Sequence, residues 1–290
     1  MTLALFLSPH LDDAILSCAG RIQRHVARGD RVVLLTVFSH ADPDDVAGWA
    51  ARRREDEAAA ARLHAQARWL GLPDAPFRDP SYVDFDALTG DHAPGDATWR
   101  ERLAARLCEH LDAERPAALY VPLGVGDHVD HRLTHEAAAL ALAEREPQDS
   151  PALYHYEDVP YAMVLHATRR RLDALGWSSH DVPPGQVDAY LDALAHTPYI
   201  ASYLPPGPVR DRSFARLRQW PASSPTRSLH AELERLDHTT AARSEDAIWD
   251  YASQAPALFH TRERYRDLAR THAERLHTDA PRAERYWRLR

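Results

Sequence analysis

The sequence predicts an α/β protein, a doubly wound, mostly parallel, Rossmann-like sheet with a helical C-terminal extension. Three observations predict it. Short apolar runs alternate with longer helical patterns as far as residue 156. The runs are continuous and rich in Leu, Val and Tyr, as in parallel strands covered by helices on both faces. Two of them end directly in clusters of His and Asp, where open parallel sheets place their ligands.

Residues 3–7 make the first run. Residues 13–28 carry Ile15, Leu16, Ala19, Ile22 and Val26 at helical spacing, and Gly29 stops the helix. A second strand is expected at 31–38, a helix dense in Ala, Arg and Glu at 52–64, and a third strand at 67–72, closed by Pro73. Residues 73–97 mix Pro and Gly with Asp, His and Tyr and read as a long functional loop. A helix at 97–114, a strand at 117–123, a helix from about 130 to 144 and a strand at 152–156 complete the alternation. In the order 3-2-1-4-5, strands one and four are neighbours at the switch point, and their terminal clusters face each other across one crevice. Farther on, 169–177, 186–196, 229–254 and 261–276 read as helices around a Pro-rich stretch at 198–225. The expected division is a Rossmann-like core at 1–162 with a mainly helical part at 163–290 packed on it, both within one domain.

At 290 residues and 44% hydrophobic composition, the chain can bury a sizeable core. A formal charge of −8 argues against a nucleic-acid partner, which needs a surplus of positive charge on one face, and leaves a small-molecule substrate. Cys18 and Cys108 can build neither a disulfide framework nor a thiolate zinc site. No run reaches about 18 apolar residues, and the start carries no charged leader. A cytoplasmic protein with no membrane partner is therefore expected.

The chemistry lies in Pro9-His10-Leu11-Asp12-Asp13 and Gly126-Asp127-His128-Val129-Asp130-His131. Asp12 and Asp13 fall at the start of a helix, where the macrodipole favours ionised carboxylates. Being consecutive, their side chains diverge, so one can bind a metal while the other acts as general base on its water. His128 and His131, three apart, share one face of a helical turn, and Asp130 can set the tautomer or raise the pKa of a neighbouring ring. Two His and one carboxylate suit Zn²⁺ with an open position, and Fe²⁺ accepts the same donors.

These motifs, in this order, resemble the PIG-L (LmbE-like) deacetylases, zinc hydrolases that remove N-acyl groups, mostly from N-acetylglucosamine conjugates. Arg52-Arg53-Arg54-Glu55, Gly71-Leu72-Pro73-Asp74, Phe77-Arg78-Asp79, the 156–162 segment, Tyr251-Ala252-Ser253-Gln254 and Glu284-Arg285-Tyr286-Trp287 extend the likeness over most of the chain. The resemblance implies His10, Asp13 and His131 as zinc ligands and Asp12 as general base. It implies His128 as acid or oxyanion partner, with Asp130 keeping it charged, and Arg52 and Asp79 as contacts to the sugar. The implied substrate is an N-acetylated amino sugar or related small amide.

The chain departs from the family at three places. Some sugar deacetylases have a Tyr two residues before the first His of the second motif, where this chain has Gly126. Leu11 replaces the usual Pro, and Ser39-His40-Ala41-Asp42 stands where a Gly-Glu loop is common. Trp177, Trp220, Trp249 and Trp287 are further candidates to stack on a sugar. Rival functions are an amidase for a larger conjugate, such as a thiol conjugate, and a sugar-binding protein without catalysis. A metal-dependent phosphoesterase is disfavoured, because no Gly-rich phosphate loop is present and oxygen-only ligation leaves the histidines unexplained.

Overall fold

A computed structural model describes residues 1–40, 48–143, 145–222 and 224–289, with the side chains of 201 and 202 left aside. The expected Ser39–Asp42 departure thus lies partly outside the described residues. In chain order the elements begin β1 (Leu3–Ser8), α1 (Asp13–Ala27), β2 (Arg31–Phe38), α2 (Trp49–Arg62) and β3 (Gln66–Leu72). The chain continues with α3 (Ala75–Arg78), α4 (Phe85–Leu88), α5 (Asp96–Glu114), β4 (Ala118–Pro122), α6 (Val129–Ala143) and β5 (Ala152–Tyr156). After β5 come α7 (Ala167–Ala174), β6 (Trp177–Ser178), α8 (Val187–His196), α9 (Pro198–Tyr203), α10 (Pro208–Leu217) and β7 (Arg227–Leu236). The last elements are α11 (His238–Trp249), α12 (Ala255–Phe259), α13 (Arg262–Arg275) and β8 (Arg282–Leu289).

One eight-stranded sheet has the order β3-β2-β1-β4-β5-β8-β7-β6. Its first five strands are parallel in the expected 3-2-1-4-5 order, with Leu5 registered on Leu119 across the β1–β4 seam. Strand periodicity sends alternate residues of β1 to opposite cores. Ala4 and Phe6 pack with Ile15, Cys18 and Ile248 under α1, α2 and α11. Leu5 and Leu7 pack with Leu107 and Leu133 under α5 and α6.

The C-terminal part differs from expectation. Residues 229–254 do not form one helix: β7 occupies Arg227–Leu236, and the helix begins only at His238, capped by the Asp237 carboxylate. β8 runs antiparallel to both β5 and β7, carrying the sheet to residue 289. Leu, Glu, Arg and Ala in β7 favour a helix intrinsically, but eight cross-strand pairs with β8 override that preference. Its Glu232 and Glu234 reach Arg21 at 3.4 and 2.9 Å, so the acidic face meets α1. The 73–97 and 198–225 stretches, expected as irregular, contain α3 and α4, and α9 and α10. Asp74 and Asp84 cap α3 and α4 with their side chains.

Candidate active site

β1 and β4 end side by side, and the chain leaves them in the two tight turns that carry the His and Asp clusters. At the β1 exit, the Ser8 hydroxyl accepts from Ala14 N at 3.0 Å and donates to the His10 carbonyl at 2.5 Å. Ser8 thereby satisfies an amide at the start of α1, and Asp12, although at the N-cap position, makes no side-chain cap bond. Its carboxylate is free to face the cavity. Asp13 turns the other way, accepting from His10 N at 2.8 Å and from His10 Nδ1 at 3.1 Å.

His131, on the first turn of α6, is buried with its Nε2 3.3 Å from Asp13 Oδ2. Among the described residues that Nε2 has no hydrogen-bond partner. Its Nδ1 meets Asp158 Oδ1 at 2.7 Å, while Asp158 Oδ2 accepts from Gly124 N and Val125 N, both at 2.8 Å. Asp158 thus fixes the ring and aims an unsatisfied nitrogen at Asp13 and His10, as an outer-sphere carboxylate does for a metal-binding histidine. The donor atoms of His10, Asp13 and His131 lie within 4.8 Å of one another and could hold a metal ion. His10, His128 and Asp130 form a second such group. Asp130 is already engaged there: it accepts from Arg78 Nη1 at 2.7 Å and Ala75 N at 3.1 Å, and contacts His10 Nε2 at 3.0 Å.

The electrostatics separate the two aspartates. Burial pushes the Asp12 carboxyl up to about 6, with Asp13 adding and Arg52 opposing. Burial acts on Asp13 in the same sense, but His131 and His10 outweigh it and hold Asp13 below the usual carboxylate range. For His131, burial is outweighed by Asp13 and Asp158, so its pKa is raised. One group suited to taking protons near neutral pH therefore sits next to one that stays ionised.

Two expectations need correction. The sequence assigns Asp130 to keep His128 charged, yet the Asp130 carboxylate faces His10 and Arg78, and only its backbone amide reaches His128, donating to Nδ1 at 3.2 Å. Burial pushes His128 down to about 3. The ring is neutral, with Nδ1 accepting and the proton on Nε2. Asp79, assigned to the sugar, is not among the residues lining the cavity. It is solvent-facing and accepts from Ser81 N at 2.9 Å, closing a turn. Its neighbours look inward instead: Arg78 is fully buried against Asp130, and Asp74 lies 3.4 Å from His10.

The cavity over these groups has a volume of about 420 Å³. Arg52 lines it with its guanidinium 4.8 Å from the Trp49 ring centre, and its buried Nε has no hydrogen-bond partner among the described residues. Phe85, Leu88, Tyr161, Tyr199, Tyr203 and Leu258 form the apolar wall. Among the described residues no tryptophan lines the cavity; Trp177 and Trp287 are buried elsewhere. A larger open cleft of about 720 Å³ lies around Arg115 and Arg145, away from the histidine cluster.

Sequence reasoning puts the 157–161 segment at the carboxyl edge of the sheet as a wall of the crevice, but not Asp158 as the partner of His131, and it assigns no role to Asp74 or Tyr199. For Asp158 a signal existed, since it follows β5 at the same sheet edge as the other two clusters. Tyr199 carried none, because only the tertiary fold brings α9 over that edge.

Residues 5–142 match the family model described as PIG-L, GlcNAc-PI de-N-acetylase. Over 175 residues the chain is 32% identical to the 2'-N-acetylparomamine deacetylase of Streptomyces fradiae, a match covering 54% of this chain. The match spans 57% of that curated relative, a little over half its length. A solved structure of the zinc-inhibited form of a teicoplanin deacetylase superposes with a TM-score of 0.65 at 20% identity, covering 100% of this chain and 98% of that one. The deacetylase of the A40926 pseudoaglycone superposes with a TM-score of 0.63 at 20% identity, over 100% and 97% of the two chains. Those two structures share the fold.

Proposed function

We propose that the chain is a zinc-dependent N-deacetylase acting on an N-acetylated amino sugar or a related small amide, a reading supported by the match of residues 5–142 to the PIG-L family model. The observation that carries this is the His131 Nε2, buried without a partner 3.3 Å from Asp13 while Asp158 pins the other ring nitrogen. A buried imidazole nitrogen left bare costs free energy, about 1–3 kcal/mol, unless a ligand completes it. His10, Asp13 and His131 would hold Zn²⁺, the donor set of an open catalytic site. Bound there, zinc supplies a Lewis acid and acidifies water.

The chain's own residues do the rest. Asp12, uncapped and pushed up to about 6, takes the proton from the attacking water. His128, whose ring lies beside those of His10 and His131, would donate its Nε2–H toward the acyl oxygen or the leaving nitrogen. Arg52, which lines the cavity, would contact sugar hydroxyls through its guanidinium. Asp130 positions His10 and anchors Arg78. The amino-sugar class comes from the relative, whose name specifies an N-acetylated paromamine. It fits a cavity with polar groups at one end and aromatic rings at the other.

The test is acetate release from a panel of N-acetylated amino sugars and their conjugates, before and after chelation and with zinc restored. Zinc-dependent acetate release is the expected result. Metal uptake without acetate from any substrate would favour the amidase for a larger conjugate.

A further inference from the structure

Gly126 leaves a gap in the second motif, and another part of the chain fills it. Its φ is +90°, and a Cβ built there would stand 2.3 Å from Tyr161 Cδ1 and 2.8 Å from Tyr161 Cβ. The Tyr161 ring therefore occupies the space into which a side chain at 126 would project. It arrives from the turn after β5, three residues beyond Asp158, so the segment that fixes His131 also delivers this ring. The ring packs edge-on to His131, with centroids 5.5 Å apart.

The hydroxyl ends beside that of Tyr199, at 3.1 Å, and both tyrosines line the cavity with His10, Asp12, Asp13 and His128. Two hydroxyls joined by one hydrogen bond retain one proton for a third partner. If Tyr199 donates to Tyr161, the Tyr161 proton is free and its donor strength is raised by the bond it accepts. A phenol, with an ordinary pKa of about 10, carries that proton at neutral pH.

We propose that Tyr161, braced by Tyr199, donates a hydrogen bond to the acyl oxygen of the substrate, the atom on which negative charge develops as water adds to the carbonyl. This deepens the amide-hydrolase reading and rests on it. Tyr161 and His128 then approach the same oxygen from two walls, one from the turn after β5 and one from the turn after β4.

Tyr161→Phe keeps the ring over Gly126 and against His131 and removes only the hydroxyl. Removing one such donor typically lowers kcat by about 10²–10³-fold, and that loss is expected here with KM within about threefold and zinc content unchanged. A second readout does not depend on turnover: binding of methylphosphonate, a tetrahedral anion of the size of a hydrated acetyl group, to the zinc-loaded protein by calorimetry. The proposal expects binding by wild type and about tenfold weaker binding by Tyr161→Phe, with Tyr199→Phe in between. Equal affinity in wild type and Tyr161→Phe, or no binding by wild type, would overturn it. Failure of the deacetylase reading shows separately, as a zinc-loaded wild type that binds methylphosphonate, discriminates it from Tyr161→Phe and releases no acetate.

Discussion

The two halves of the sheet do different work and are written in different codes. On the β1–β4 side, strands are covered on both faces and read as unbroken apolar runs, and the His and Asp groups that could hold a metal lie just beyond the carboxyl ends of β1 and β4. On the β8–β7 side, the two strands are antiparallel and rich in Arg and Glu, β7 largely half-exposed and β8 mostly buried, and they are held by charge as well as by apolar packing. Glu284 of β8 shows this: it accepts from Gly20 N and Arg21 N of α1, from Arg282 at 3.0 Å and from Tyr286 at 2.7 Å. The first half contains the chemistry. The second half closes the cavity and clamps α1, through Tyr199, Tyr203, Gln254 and Leu258 on one side and Glu284 on the other.

That comparison can be broken by mutation. The largest effect is expected from His131→Ala, which should remove both bound zinc and activity; metal analysis that still finds about one zinc per chain would move the ligand set to His10, His128 and Asp130. Glu284→Gln should act only on folding. Leaving the buried Arg282 without its charge partner costs about 3–5 kcal/mol, read from denaturant midpoints, with zinc content of the folded protein unchanged. Metal loss in this variant would mean that the halves are not separable.

Asp158→Asn should sit between these extremes. The fold should persist, and zinc affinity should fall about 10–100-fold by competition titration, because the ring of His131 loses its anchor. A pH-dependent effect lies at the seam, where Asp56 of α2 accepts from Tyr251 and Trp69. Burial pushes Asp56 up to about 7. A carboxyl raised in the folded state contributes stability that is complete below about pH 4 and is lost as pH rises through 7, at no more than about 1.4 kcal/mol per pH unit. Asp56→Asn should flatten that slope in chemical denaturation between pH 4 and 7, and an unchanged slope would assign it to other groups.

Legibility in the sequence follows the same divide. The order 3-2-1-4-5, the two strand-end clusters and the neighbourhood of His10, Asp12, Asp13, His128 and His131 were readable because local pattern and tertiary position agree there. Strand β7 was not, since Leu233, Glu234 and Arg235 favour a helix until β8 pairs with them. Asp79 and Asp130 show a finer limit. Motif windows located the right loops, but which carboxylate points inward depends on a turn, and there Arg78 and Asp74 took the inward positions. Gly126 marked a missing side chain in the sequence, while the ring that fills the space lies 35 positions later and belongs to another turn.

The central claim is that the metal-binding and proton-accepting roles fall on adjacent carboxylates, Asp13 and Asp12. Zinc content and acetate release, measured together on wild type and Asp12→Asn, test it most directly. About one zinc per chain in both, with acetate released by wild type and release slowed about 10²–10⁴-fold in the variant, is the predicted result. Loss of zinc from Asp12→Asn, or acetate release at the wild-type rate, would contradict it.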